Sequence, residues 1–216
     1  MAGIDDRQGG RVAKRERLEM GEDMPQPPFS VALTPLEPAP ARALRTIRTL
    51  SALKDQYLDA TAVARRLTQG DPILYEVYHC DQRPFPGDLS CGLTILLAGR
   101  VGQEYFMTKG HFHEVLDTAE VYYCLRGRGL MLMETPEGDA TAEPILPGMA
   151  VYVPPRWAHR TVNTDDAEDL VMFFVYPAQA GHDYRTIEVQ GFRKLVVATP
   201  EGPTLVDNPR WKSRGG

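Results

Sequence analysis

The most constraining feature of this sequence is a series of short runs, rich in β-branched and aromatic residues, that begins after Pro72. Turn signals such as Arg126-Gly127-Arg128-Gly129 and Pro147-Gly148 separate the runs. Short strands at this spacing are typical of a β-sandwich or β-barrel. The 18 Pro and 19 Gly among 216 residues argue against a mostly helical protein. We therefore predict an all-β fold with strands at 73–80, 92–98, 103–108, 120–126, 130–134, 150–153, 160–163, 170–176 and 194–198.

The N-terminal third has a different character. Residues 1–27 are rich in charge and poor in large apolar side chains, which predicts a disordered tail. The proline-rich stretch that follows predicts an extended arm, in which the alternation of Phe29, Val31 and Leu33 could add a strand to a sheet. Short helices are expected in two pieces within 41–69, the second capped by Asp59 or Thr61. Residues 28–216 then form a single domain.

Charge and composition exclude several classes of protein. A formal net charge of −5 and a pI near 5.6 argue against a general nucleic-acid binder. No run approaches the roughly 20 apolar residues of a membrane helix. Three cysteines without a CxxC pair predict neither a disulfide framework nor a zinc knuckle. The N-terminus has no apolar signal segment, so we expect a cytoplasmic protein.

Histidines mark a candidate metal site. His111 and His113 are two residues apart, which on a strand places both side chains on one face, about 6.6 Å apart along the chain. A paired histidine alone is weak evidence, but Glu120 opens the next predicted strand and His159 follows later. Three imidazoles and one carboxylate suit Fe²⁺, Mn²⁺, Co²⁺, Ni²⁺ or Zn²⁺ better than Ca²⁺ or Mg²⁺.

The spacing of these residues resembles the two motifs of the cupin superfamily. The second motif, Gly148-x5-Pro154-x4-His159-x3-Asn163, matches well, although Arg156 stands where a glycine is usual. The first departs further, because six residues rather than three or four separate His113 from Glu120. Longer runs resemble the cupin-type glucose-6-phosphate isomerases of archaea and some bacteria over roughly residues 40–212. These runs are 75–78, 108–113, 119–122, 135–139, 151–155, 157–163, 176–177, 180–184 and 206–211.

The resemblance implies a fold, a reaction and a cofactor. The fold would be a cupin, a jelly-roll-like β-barrel with short N-terminal helices. The enzyme would interconvert glucose 6-phosphate and fructose 6-phosphate through an enediol. It would use one divalent transition metal per subunit, with Fe²⁺ as the expected ion and Mn²⁺, Ni²⁺ or Zn²⁺ as alternatives. The implied metal ligands are His111, His113, Glu120 and His159, and Glu120 is also the leading candidate for the base.

The resemblance also implies a substrate site. It assigns the phosphate to Thr94, Thr108 and Gly110, with a contribution from Tyr75. Because Gly110 has no side chain, an oxyanion can approach its backbone closely. Tyr122 and His182 are implied catalytic groups, and Tyr176 and Tyr184 implied sugar contacts. By strand alternation Tyr122 shares the face of Glu120. We interpret Lys109 as structural and His79 as an ordinary surface histidine.

Two other functions use the same fold. A non-haem iron dioxygenase would use the same ligands but would not need Thr94, Thr108 and the tyrosines. A non-catalytic sugar-binding cupin would not need a complete metal set. A homodimer is the expected assembly, because the proline-rich arm could cross to a partner subunit and symmetric dimers are the commonest closed assembly.

Overall fold

The computed structural model describes residues 29–31, 33, 44–80 and 87–212. The strands are β1 (Leu44–Thr49), β2 (Ile73–His79), β3 (Leu89–Leu96), β4 (Arg100–Val101), β5 (Glu104–Tyr105), β6 (Glu120–Arg126), β7 (Gly129–Glu134), β8 (Ala140–Ile145), β9 (Ala150–Val153), β10 (Ala158–Asn163), β11 (Leu170–Pro177), β12 (Lys194–Thr199) and β13 (Gly202–Asp207). The helices are α1 (Leu50–Leu53), α2 (Ala60–Thr68) and α3 (Tyr184–Gln190), and a 3₁₀ turn spans Lys54–Gln56.

The strands of the described residues form three antiparallel sheets. The largest has the order β1-β2-β3-β11-β6-β9; the others are β10-β7-β8 and β13-β12-β5-β4. Isolated antiparallel bridges join Met107 to Val162 and His111 to His159, so the segment that follows β5 runs beside β10. The all-β prediction is confirmed, and each of the nine predicted runs contains a strand. Within the described ranges, the sheets do not close into one continuously hydrogen-bonded barrel.

Residues 44–49 form strand β1, and the prediction of a first helix at this position was wrong. The apolar spacing of Leu44, Ile47 and Leu50 suggested a helical face, but Leu44 and Ile47 are 57% and 40% exposed. The segment instead pairs antiparallel with β2, from Leu44 opposite His79 to Thr49 opposite Ile73. β-Branched side chains favour this extended state, and the partner strand satisfies the backbone.

The second helix begins and ends as predicted. The Asp59 carboxylate caps α2 by accepting a hydrogen bond from the Ala62 amide at 2.9 Å. The helix ends at Thr68, just before Gly70, whose φ of 126° suits a glycine. Strands β4, β8 and β13 and helix α3 were not predicted from the sequence.

The core lies between the large sheet and the strands that face it. Leu74, Phe112, Met131 and Leu170 are fully buried there. The predicted tail, residues 1–27, lies outside the described residues. The described arm residues 29–31 and 33 are not in a strand, contrary to the prediction. None of the helices in the described ranges is long and apolar enough to cross a membrane.

Candidate active site

Two of the predicted metal ligands, His111 and His159, are paired by an isolated β-bridge. The His111 amide donates to the His159 carbonyl at 3.3 Å, and the His159 amide donates to the His111 carbonyl at 3.1 Å. This antiparallel bridge points both side chains to the same side, and the ring centroids are 4.4 Å apart. His159 belongs to β10, a strand in which all six residues are buried.

The local hydrogen bonds fix the tautomer of His113. Its Nδ1 lies 2.8 Å from Thr118 Oγ1 and 3.1 Å from the Thr118 carbonyl. The Thr118 hydroxyl donates its one proton to the Val115 carbonyl at 2.6 Å, so both oxygens can only accept from His113. The proton therefore sits on Nδ1, and Nε2 presents a lone pair. That Nε2 lies 3.2 Å from Glu120 Oε2.

Glu120 lies at the centre of the histidines. Its Oε2 is 2.9 Å from Nε2 of His159, and its side chain is 2% exposed. Burial opposes ionisation, but the neighbouring His159 more than offsets that cost and lowers the pKa of Glu120 to about 2. The group is therefore a carboxylate at neutral pH.

The four side chains fit a transition metal ion. One ligand atom from each of His111, His113, Glu120 and His159 lies within 4.8 Å of the others, and all four residues are buried. Among the described residues, His111 Nε2 has no hydrogen-bond partner although it is buried. Burial, and then the neighbouring His159, lower the pKa of His111 well below 6.5, so it stays neutral as a metal ligand must be. A lone pair of His113 facing a carboxylate oxygen is an unfavourable arrangement that a cation would relieve.

A cavity of about 170 Å³ opens beside this cluster. Eleven of the twelve predicted site residues line it, and the twelfth, His113, lies in the metal-site cluster. The eleven are Tyr75, Thr94, Thr108, Gly110, His111, Glu120, Tyr122, His159, Tyr176, His182 and Tyr184.

Three of the residues expected to bind phosphate, Tyr75, Thr108 and Gly110, lie close together in the cavity wall. Thr108 Oγ1 accepts a hydrogen bond from the Thr161 amide at 3.0 Å, which leaves its hydroxyl proton to donate. Tyr75 Oη lies 3.4 Å from the Lys109 amide that donates to it. Gly110 has a φ of 75°, and an added Cβ would lie 2.4 Å from the Phe192 ring. The glycine is therefore required both by its backbone conformation and by packing.

The rings of His182 and Tyr184 pack against the metal-site cluster. Residues 182–184, which carry these rings, are held in place because Asp183 and Phe112 exchange backbone hydrogen bonds of 2.8 and 3.3 Å and the Asp183 side chain caps α3. The His182 ring is stacked on Tyr184, with centroids 5.7 Å apart, and lies 4.5 Å from His111. Burial lowers the pKa of His182 to about 4 and raises that of Tyr184 to about 12. His182 is thus a neutral imidazole at pH 7, and Tyr184 keeps its proton.

Tyr122 and Tyr176 complete this wall. Tyr122 Oη lies 3.3 Å from His159 Nε2. Burial, reinforced by the Glu120 charge, raises the pKa of Tyr122 well above 10, so its hydroxyl remains protonated. The Tyr176 ring contacts His182 edge-to-face at 5.4 Å.

Comparison with known proteins identifies this arrangement. The family model for glucose-6-phosphate isomerase matches residues 47–208, which include every residue of the cavity wall except Thr46. The chain belongs to the glucose-6-phosphate isomerase family. Its activity is that of an aldose–ketose isomerase, the interconversion of glucose 6-phosphate and fructose 6-phosphate. The alternatives of a dioxygenase and a non-catalytic cupin have no support among the relatives described next.

Curated relatives agree with the family model. The chain is 50% identical to glucose-6-phosphate isomerase of Pyrococcus abyssi over 171 residues, 79% of this chain and 90% of that protein. It is 45% identical to glucose-6-phosphate isomerase of Thermococcus litoralis over 185 residues, 86% of this chain and 97% of that protein. A solved structure of oxalate decarboxylase from Bacillus subtilis superposes with a TM-score of 0.41 at 24% identity, over 54% of this chain and 29% of that one. That likeness is too distant to bear on the activity.

Sequence reasoning missed part of the isomerase cavity and misplaced one residue. Thr46, Arg48, Val77, His79, Thr161 and Phe174 also line it. The interpretation of His79 as a surface histidine is wrong: it points inward from the end of β2, and its ring meets Phe174 edge-to-face at 5.4 Å. Thr46 and Arg48 were missed because their segment was predicted as helix. Their i, i+2 spacing beside Ile47 and Thr49 was the available signal for a strand.

Lys109 has the structural position expected of it. Its Nζ pairs with Glu188 of α3 at 2.5 Å and lies 4.9 Å from the centroid of the Tyr184 ring. Lys109 is absent from the described residues that line the cavity. Its main chain, however, lies next to the site.

Proposed function

We propose that His111, His113, Glu120 and His159 hold one divalent transition metal per subunit, with Fe²⁺ as the cellular ion and Mn²⁺, Ni²⁺ or Zn²⁺ as functional replacements. The donor set supports this, since three imidazoles and one carboxylate form a borderline site. The fixed Nδ1–H tautomer of His113 supports it further, because ligating histidines commonly donate their other nitrogen to a neighbouring oxygen. When bound, such an ion supplies Lewis-acid polarisation of a substrate oxygen.

We propose that Glu120 moves the proton between C1 and C2 of the open-chain sugar. The observation that carries this role is a buried, ionised carboxylate that both touches the histidine cluster and borders the cavity. A carboxylate can bind through one oxygen and accept a proton on the other. Its low pKa makes it a weak base, so the role requires the C–H bond to be acidified by polarisation of the adjacent carbonyl.

The other polar groups bind and orient the substrate in this proposal. Thr94, Thr108, the Gly110 backbone and Tyr75 bind the phosphate at one end of the cavity. Tyr122 and Tyr184 keep their protons at neutral pH, so they donate hydrogen bonds to sugar oxygens. His182 is neutral, so it can accept a proton when the ring opens, and Tyr176 packs beside it.

Isomerisation in D₂O tests the proton-transfer role directly. Fructose 6-phosphate converted by the enzyme should yield glucose 6-phosphate carrying deuterium at C2, because the enediol exchanges its proton with solvent through the base. Product that remains free of deuterium after many turnovers would contradict an enediol route. A coupled assay should lose its activity on chelation and regain it with Fe²⁺, Mn²⁺, Ni²⁺ or Zn²⁺.

Substitution of Glu120 tests the same assignment from the protein side. Glu120→Gln should lower turnover by about 100-fold or more, the range for loss of a general base. Glu137→Gln, on an exposed turn, is the matched control and should keep full activity. Metal affinity of both variants by calorimetry separates loss of the base from loss of a ligand. Turnover of Glu120→Gln within a few-fold of the parent would remove Glu120 as the base.

A homodimer in the cytoplasm completes the proposal. Val121 and Tyr152 are direct neighbours on β6 and β9 and are 40% and 58% exposed. An adjoining groove of about 320 Å³ is lined by apolar side chains including Met149 and Trp157. Apolar surface of this kind favours association, for which a twofold dimer is the commonest form. Light scattering at micromolar concentration should give twice the chain mass of 24.1 kDa; a monomer would contradict it.

A further inference from the structure

Arg48 is placed in the cavity by the alternation of β1. Thr46 and Arg48 line the cavity, whereas Arg45 and Ile47 point to the outer face of the sheet. Arg45 there pairs with Glu76 at 2.5 Å. Arg48 stands directly opposite Tyr75 of β2 in the register of the two strands. The two arginines of β1 therefore lie on opposite faces of the sheet.

The guanidinium lies at the Tyr75 end of the cavity. Burial raises the pKa of Tyr75, and the nearby Arg48 charge opposes that rise. The same charge also acts on Tyr184, whose ring centroid is 5.3 Å from that of His111. Tyr75 Oη in turn accepts from the Lys109 amide, next to Gly110. Tyr75 is therefore the neighbour of both Arg48 and the segment that carries Gly110.

The carboxylate of the cavity, Glu120, contacts His113 and His159 rather than Arg48. Among the described residues, no carboxylate forms an ion pair with it. One of its N–H groups donates to the Ile47 carbonyl at 3.2 Å, and guanidinium offers five donors in a fork that matches phosphate. Of the described residues that line the cavity, Arg48 is the sole lysine or arginine. A guanidinium offsets the lost hydration of a bound phosphate dianion more strongly than hydroxyls and amides alone, because its hydrogen bonds to phosphate are charge-assisted.

We propose that Arg48 binds the phosphate group of the substrate and supplies the positive charge for it. The inference rests on the proposed placement of the phosphate at Thr94, Thr108 and Gly110. The guanidinium donates to phosphate oxygens on the side opposite the Gly110 backbone. The sugar then extends from this end of the cavity toward Glu120.

Three variants test the proposal. Arg48→Met removes the charge at similar length, Arg48→Lys keeps the charge but not the fork, and Arg45→Met makes the same charge change on the outer face. Each is assayed for kcat and KM with fructose 6-phosphate, and for inhibition by inorganic phosphate and by fructose, which has no phosphate group. Direct titration of the metal-loaded enzyme with inorganic phosphate adds a readout that needs no turnover.

Arg48→Met should raise KM by about 10–100-fold and weaken the binding of inorganic phosphate by the same factor, which is the effect of losing one charge-assisted hydrogen-bonding partner. kcat should change less than about threefold, because the phosphate contact is equal in ground and transition states. Arg48→Lys should be intermediate, and inhibition by fructose unchanged. Arg45→Met should match the parent. An Arg48→Met enzyme with KM and phosphate affinity within twofold of the parent overturns the proposal.

Thr108→Val separates this inference from the proposal beneath it. If Thr108→Val raises KM and Arg48→Met does not, the phosphate subsite stands and Arg48 is not part of it. If Arg48→Met weakens the binding of inorganic phosphate and Thr108→Val leaves KM unchanged, phosphate binds Arg48 but away from Thr108, which overturns the proposed arrangement. If Arg48→Met does not fold, Arg48→Lys with unaltered KM and phosphate affinity still overturns the role of the guanidinium fork.

Discussion

Gly110 connects the fold to the site, and replacing it with alanine should damage both. Its φ of 75° lies in the left-handed region, where a residue with a Cβ costs about 1–2 kcal/mol. The added Cβ would lie 2.4 Å from the Phe192 ring and 3.1 Å from Arg160 Cβ, whereas carbon atoms normally approach to about 3.5–4.0 Å. Phe192 is 1% exposed, so its ring must move by about 1 Å within a packed core.

Overpacking of this kind costs about 1–3 kcal/mol. Together with the backbone cost, Gly110→Ala should lower the free energy of unfolding by about 2–5 kcal/mol. Urea denaturation measures this quantity. Because Gly110 directly precedes His111, a shift of the backbone should also weaken metal binding and raise KM for fructose 6-phosphate.

Gly148→Ala is the matched control. Gly148 has a φ of 84°, but an added Cβ there would meet nothing within 4 Å. The free energy of unfolding of this variant should therefore fall only by the backbone cost of about 1–2 kcal/mol, and its KM should equal that of the parent. A second change, Phe192→Leu, made in Gly110→Ala should restore part of the lost affinity by relieving the contact. Equal losses in Gly110→Ala and Gly148→Ala, with unchanged KM in both, would refute the packing argument.

Three further outcomes follow from the hydrogen bonds and charges. Asn163 is fully buried, and its amide donates to the carbonyls of Leu96 and Glu168 at 3.0 and 2.9 Å; Asn163→Ala should therefore cost about 2–5 kcal/mol in urea denaturation, and a loss below 1 kcal/mol would contradict that role. Burial raises the pKa of Glu104 above 4.5 although the Leu58 amide donates to it, so the stability linked to its proton is complete below about pH 4.5 and is lost as the pH rises through the folded pKa. Glu104→Gln should accordingly gain stability relative to the parent as the pH rises above about 4.5, and a constant difference from pH 3 to pH 8 would show that Glu104 does not titrate as described. Chelation should lower the unfolding free energy by about 2.7 kcal/mol relative to enzyme at a metal concentration 100 times the Kd, and a melting temperature indifferent to metal would contradict the cluster as a binding site.

The strands after residue 72 could be predicted because their signal is local. Alternation and turn residues place β2, β6 and β10 without knowledge of their partners. The His111-x-His113 spacing and the Pro154–His159–Asn163 pattern likewise predicted which side chains meet. Asn163 has a clear physical reason for its place, since its amide joins the end of β3 to the turn before β11.

Other elements depend on partners that are distant in the sequence. Strand β1 carries apolar residues at helical spacing, and only pairing with β2 decides in favour of an extended chain. Strand β8 contains Ala140, Ala142 and Pro144, residues with weak strand preference, and is ordered by pairing with β7. Arg48 could not be assigned to the cavity until β1 was a strand, because its direction follows from the alternation of that strand.

The long link between His113 and Glu120 has a structural reason. The six residues of the link leave room for Thr118 to turn back and accept the His113 Nδ1 proton through both its carbonyl and its hydroxyl. The Thr118 hydroxyl first donates to Val115 within the same link, so the acceptor is oriented before any ligand arrives. A link of three or four residues would lack this turn and would need another group to fix the imidazole. The longer link therefore carries its own means of keeping the proton on Nδ1 and the lone pair on Nε2 of His113, which is the tautomer that a metal ligand bound through Nε2 requires.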